Sequence, residues 1–133
     1  MVVPMPHLQF DLNFTPGADE KRRFAAAVVS RFSAVMDTGT DHVAVTLRCL
    51  GEHDLVFGRA RGGRVAFLNA DIRNGRSTDQ KRRLALSIIA DLGSLLGVPP
   101  DSAYVIYTEH DGENFQLHDR VLPSWSEGED PLK

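Results

Sequence analysis

The sequence predicts an α/β (α+β) domain made of two tandem βαβ units, their strands joined in one four-stranded mixed sheet with two helices on one face. Three observations carry this prediction. The chain matches itself when slid by 60 residues, so that Lys21-Arg22-Arg23-Phe24-Ala25 falls on Lys81-Arg82-Arg83-Leu84-Ala85, and such self-similarity marks a duplicated supersecondary unit. The apolar positions that follow coincide as Val28/Ile88, Val29/Ile89, Phe32/Leu92, Val35/Leu95 and Met36/Leu96, a three-four-seven spacing that makes one face of a helix. The same register matches Leu8/Leu68, Asp11/Asp71 and Leu12/Ile72 ahead of the helices and Val45/Val105 behind them. Each half therefore reads strand, helix, strand, over about 6–57 and 64–109.

Local signals mark the elements in order. Strands are predicted at Leu8–Leu12, Val43–Leu50, Val65–Ile72 and Tyr104–Thr108, which are rich in β-branched and aromatic residues. Thr15-Pro16 opens the first helix, with proline at the first helical position and Asp19 and Glu20 in the first turn. Ser77-Thr78-Asp79-Gln80 has capping-box spacing and makes Ser77 the N-cap of the second helix, which Gly97 and Pro99-Pro100 close. Gly58–Gly63 connects the halves. Right-handed crossovers put both helices on one face of the sheet. The strands read as largely apolar on both sides, so oligomerisation through the bare face is expected. Residues 1–123 form one domain, and a polar, acidic, loosely held tail follows at 124–133. Trp125 in that tail is expected to dock on something apolar.

Composition narrows the function classes. With 133 residues, 42% apolar, 25% charged and a net charge of −3, the chain is globular and has no bulk charge to hold nucleic acid or an anionic membrane. Nowhere do the roughly 18 consecutive apolar residues of a membrane span occur, and Met1–His7 does not read as a signal peptide. The single Cys49 and five scattered histidines make neither a disulfide nor a metal set. No cofactor is implied, and a cytoplasmic location is expected.

Three places carry unusual residues. Pro6, before the first strand, either stiffens the chain there or, as a chain terminus, offers a secondary amine that titrates near neutrality and suits proton transfer. Arg73-Asn74-Gly75-Arg76-Ser77 is a tight turn into the second helix. Two cations there oppose the helix dipole by roughly 0.3–1 kcal/mol each, so either they bind an anion such as a carboxylate, or they are solvated loop residues or pair with Asp71 and Asp79. Glu109-His110-Asp111-Gly112-Glu113-Asn114, with His118-Asp119-Arg120 beyond, is either a solvated loop or a source of acid/base groups. Arg59, Arg61 and Arg64 form a further basic cluster in the connection.

Met5-Pro6 opening a strand, Ile72-Arg73-Asn74-Gly75-Arg76-Ser77, the helix from Gln80, Tyr104-Val105-Ile106-Tyr107-Thr108-Glu109 and Arg120-Val121-Leu122-Pro123 resemble, in that order, the cis-3-chloroacrylic acid dehalogenase-like branch of the tautomerase superfamily. Met5-Pro6-His7 and Gly75-Arg76-Ser77 also resemble, more weakly, the 5-carboxymethyl-2-hydroxymuconate isomerases. The resemblance covers Met5 to Pro123 and implies a tautomerase/MIF-like fold and a homotrimer. It further implies an N-terminal proline as acid or base and arginines that hold a small carboxylate substrate. Pro6, Arg73 and Arg76 match position by position. The branch's water-activating glutamate falls on Leu117, its assisting tyrosine on Ile106 and its helix histidine near Ser33. Because leucine and isoleucine cannot move protons, the expectation shifts from dehalogenase to tautomerase or isomerase of 2-oxo or 2-hydroxy unsaturated acids.

Residues 1–5 precede Pro6. Either Met5 is the true start and its removal exposes the amine, or proline chemistry is absent and the chain is a silent carboxylate-binding trimer. A hydratase or dehalogenase using Glu109 or His118 as a substitute base is the third reading.

Overall fold

In the computed structural model, which describes residues 6–127, the order is β1 (His7–Leu12), α1 (Ala18–Met36), β2 (Ala44–Cys49), β3 (Ala66–Arg73), α2 (Thr78–Leu96) and β4 (Ala103–His110). Short 3-10 turns precede and follow β4, at Pro100–Ser102 and Gly112–Asn114. The sheet runs β2-β1-β3-β4. Its outer pairs are parallel, as βαβ connections require, and the central β1–β3 pair is antiparallel, with His7 opposite Asp71 and Leu12 opposite Ala66. This is the fold that the duplication predicts, and the two helices, each of 19 residues, start exactly one repeat apart at Ala18 and Thr78.

Burial follows the repeat. Phe24, Val28, Phe32 and Met36 on α1, and Leu84, Ile88, Leu92 and Leu96 on α2, pack on Leu8, Phe10, Leu12, Leu68, Ala70 and Ile72 of the central strands. Phe10 and Phe24 meet edge to face with centroids 4.9 Å apart. Between the helices, Arg31 Nε and Nη2 donate to the Asp91 carboxylate at 3.1 and 2.8 Å. These residues occupy equivalent positions of the two repeats. At a site where an identical pair would place like charges together, the duplicated chain carries opposite ones, and the Asp91 carboxylate pushes the Arg31 guanidinium up from its ordinary value, first through the hydrogen bond and then through its charge.

Helix ends divide between expectation and correction. Ser77 caps α2 as predicted, its Oγ accepting from Gln80 N and its N–H donating to Gln80 Oε1, both at 3.1 Å. The first helix starts later than predicted. Gly17 is its N-cap and donates to Glu20 Oε1 at 3.0 Å, so Pro16 stands outside the helix. The Glu20 side chain, one turn in, decides the boundary. Strand ends differ from the predicted ones by one or two residues.

The bare sheet face also departs from expectation, because the strands alternate instead of being apolar on both sides. His7, Gln9 and Asp11 on β1, Thr46 and Arg48 on β2, and Asn69 and Asp71 on β3 occupy the alternate positions on the face away from the helices. Arg48 clasps Asp11 there, Nε to Oδ1 at 2.6 Å and Nη2 to Oδ2 at 3.1 Å. One corner is aromatic, where Phe57, Phe67 and Tyr104 form a ring cluster with centroids 5.3–5.8 Å apart. Among the described residues no helix is long and apolar enough to cross a membrane.

Chemical denaturation checks this account of the core and caps: Phe24→Ala lowers stability by about 3–5 kcal/mol, whereas Ser77→Ala lowers it by about 1 kcal/mol. A loss below about 1 kcal/mol for Phe24→Ala contradicts the account.

Candidate functional site

The alternating strand directions bring one set of termini to the same sheet edge. Because β1 leaves this edge and β3 arrives at it, Pro6 and Arg73 are diagonal neighbours. The end of β4 adds His110, the register partner of Arg73, and α1 ends here as α2 begins. Pro6 is buried, and its carbonyl accepts from Ala44 N at 3.0 Å. Met5 and the start-site question lie outside the described residues.

Arg73 and Arg76 are both inward, 1% and 7% exposed. A buried cation requires acceptors, and main-chain carbonyls supply some of them. Arg73 Nη1 donates to Pro123 O at 2.7 Å. Arg76 Nε and Nη2 approach Met36 O at 3.4 Å, and its guanidinium lies 4.9 Å from the Trp125 ring centroid and 5.7 Å from that of Phe32. This explains a cation just before the N-terminus of α2: it sits on the last carbonyl of α1, where the other helix dipole is negative. The carboxylates weighed as its alternatives are engaged elsewhere, Asp71 with His110 and Asp79 with Arg83.

The segment around Trp125 is docked, not loosely held. Leu122 and Trp125 are buried. Trp125 N donates to Asn74 O at 2.8 Å and its Nε1 to Asp37 O at 3.0 Å, Asp37 being the left-handed residue (φ 51°) that closes α1. Two glycines make the seat. At Gly75, where φ is 122°, a Cβ would stand 2.1 Å from Trp125 O, and at Gly112 one would stand 2.0 Å from the Pro123 carbonyl carbon. Neither glycine announces this in sequence, because the segment that needs the space is far along the chain. Beside the seat, a cleft of about 630 Å³ opens between the helix ends, lined by Asp37, Gly75, Ser77, Gln80 and Trp125 among others. Neither Pro6 nor Arg73 lines it.

The auxiliary candidates divide. Glu109 points to the helix side of the sheet and pairs with Lys81 of α2. His118 is exposed beside Asp119, whose carboxyl Arg120 holds below its ordinary range, chiefly by a direct hydrogen bond. Ile106, the register partner of Asn69, is 47% exposed on the bare face. Two polar pairings near Pro6 were not foreseen from the sequence, although His7, Asp71 and His110 were each named there: His7 Nε2 lies 2.8 Å from Thr46 Oγ1, and His110 Nε2 lies 2.8 Å from Asp71 Oδ1. Only the strand register brings Asp71 and His110 together. Among the described residues no group of three or more His, Cys, Asp or Glu is arranged to hold a metal ion.

No family model matches the chain, and no curated protein matches it in sequence. Solved structures do. Pt0534 inactivated by 2-oxo-3-pentynoate is similar with a TM-score of 0.77 at 13% identity, over 88% of this chain and 94% of that one. N1, a member of the cis-3-chloroacrylic acid dehalogenase family, is similar with a TM-score of 0.75 at 23% identity, over 87% and 84%. The W0 fused 4-OT symmetric trimer gives 0.77 at 13% identity, over 85% and 93%. The chain has the fold of the tautomerase superfamily.

The tail seat is checked by the fluorescence of Trp125, the single tryptophan. Gly112→Ala, free of backbone strain, shifts the emission to the red and lowers stability by about 1–3 kcal/mol through overpacking; Gly75→Ala does the same with backbone strain added. Emission unchanged in both variants contradicts a docked tail.

Proposed function

We propose that the protein is a cofactor-free tautomerase or isomerase of small 2-oxo or 2-hydroxy unsaturated carboxylic acids, working as a homotrimer. The observation that carries this reading is the juxtaposition of Pro6 with the buried Arg73 at one sheet edge, with Arg76 three residues on. As a free secondary amine, Pro6 moves a proton between carbon and oxygen of the enol acid. Neighbouring guanidinium groups favour its neutral, basic form. Arg73 and Arg76 hold the substrate carboxylate and stabilise the charge that develops on the enolate oxygen. For Arg73 this means exchanging the Pro123 carbonyl for a carboxylate, a stronger acceptor for a buried cation.

A second reading has its own support. With residues 1–5 attached, the nitrogen of Pro6 is an amide and takes no proton, which favours a trimer that binds a small carboxylate without turning it over. Hydratase or dehalogenase chemistry draws less support, because Leu117 and Ile106 carry no proton-transferring group and Glu109 is engaged by Lys81.

Intact mass of the protein made from its native gene in its own host separates the two main readings. Tautomerase chemistry predicts a chain beginning at Pro6 that 2-oxo-3-pentynoate labels on that residue, the amine adding to the alkyne and the vinyl carbon taking a proton. A chain beginning at Met1 or Val2 overturns proline catalysis. In the active protein, Arg73→Ala raises KM for an enol acid roughly 10- to 100-fold through loss of a charged hydrogen bond, and unchanged kinetics would sink the carboxylate-binding role.

A further inference from the structure

Beside the proline, the same edge carries a second group able to move protons. His110 ends β4 as the register partner of Arg73 at the end of β3, and its backbone carbonyl accepts from Asn74 N at 2.8 Å, tying it to the arginine turn. Its Nε2 lies 2.8 Å from Asp71 Oδ1, and its ring packs edge-on against Phe115 with centroids 5.7 Å apart. The Asp71 and His110 side chains are both about one-third exposed, 36% and 35%. They are thus reachable from solvent and still held in place. Across the sheet, His7 stands directly opposite Asp71 and bonds to Thr46. Asp71 therefore faces an imidazole on each side, and Lys81 with Glu109 lies on the opposite, helix-bearing face.

A carboxylate that accepts the N–H of one imidazole nitrogen fixes the tautomer and leaves the other nitrogen with a lone pair, the arrangement that makes a histidine an oriented general base. Here the carboxylate takes Nε2–H, so Nδ1 is the basic atom. We propose that His110, oriented by Asp71, is an acid/base residue of this site, placed beside the Arg73 carboxylate anchor and working independently of the Pro6 nitrogen. Asp71 is its positioning residue. In the step assigned to it, Nδ1 takes the hydroxyl proton of an enol acid and the O–H electron pair becomes the carbonyl π bond. The former C=C pair takes a proton from water at carbon, and the imidazolium returns its proton to the resulting hydroxide. Oxidation states and the proton count balance. The inference rests on the enol-acid reading above.

The test follows ketonisation of phenylenolpyruvate by the protein isolated from its native host and by its His110→Gln and Asp71→Asn variants, with thermal melts to verify folding. Glutamine keeps a donor for Asp71 but cannot titrate. The expected result for His110→Gln is a kcat roughly 100-fold lower with KM within a few-fold of the parent, a split that a merely structural role would not produce. Asp71→Asn is expected to lower kcat roughly 10-fold at unchanged KM. A parent that turns over while His110→Gln keeps its kcat overturns this inference alone. A parent with no turnover overturns the enol-acid reading, and the inference falls with it. Should His110→Gln fail to fold, unchanged kcat in Asp71→Asn overturns the assignment.

Discussion

The antiparallel pairing of β1 with β3 is the constraint on which the rest of this molecule depends. Each βαβ unit makes only a parallel pair of its own, and this central ladder, with His7 opposite Asp71, joins the two into one sheet and one core. The same ladder turns the start of β1 and the end of β3 toward one edge. A shift of one residue would send Leu8, Phe10 and Leu12 to the open face, so burial of those side chains fixes the register. That register in turn brings Pro6, Arg73 and the Asp71–His110 pair together. Core packing and site geometry are thus set by one interaction.

Duplication explains how the charged groups are distributed around that ladder. At equivalent positions Arg31 and Asp91 meet between the helices as opposite charges. The helix ends differentiate in the same way. Gly97 closes α2 in the left-handed conformation, while its counterpart Asp37 closes α1 and offers its carbonyl to Trp125. Arg76, just before α2, reaches the end of α1, so the two helices meet electrostatically at the edge where the site lies. Residues 123–125 are drawn over this junction. The Pro123 carbonyl accepts from Arg73, and the Trp125 N–H and indole donate to the carbonyls of Asn74 and Asp37.

Much of this was legible in the sequence. The 60-residue register located both helices and all four strands, because burial on one face imposes the same spacing on each copy. Ser77 and Gly97 were readable for the same reason, since cap chemistry is local. The start of α1 was not, because a glycine cap completed by Glu20 competes with a proline that sits just as well outside the helix. Expecting apolar strands on both sides failed on β1, where His7, Gln9 and Asp11 alternate with the core residues. The arginine turn and Pro6 stood out as residue types, but the contacts that bury Arg73 and Arg76 come from Pro123, Trp125 and Met36, far apart in the chain. The Asp71–His110 pair was hidden for the same reason: it exists only through strand register.

The claim that this edge moves protons on small 2-oxo acids is tested most directly by solvent exchange. Proton NMR in deuterium oxide follows the C3 protons of 2-oxobutanoate with the protein isolated from its native host. The account predicts deuterium incorporation well above the buffer rate, suppressed by Arg73→Ala. Exchange at the buffer rate, with the protein folded, would contradict it.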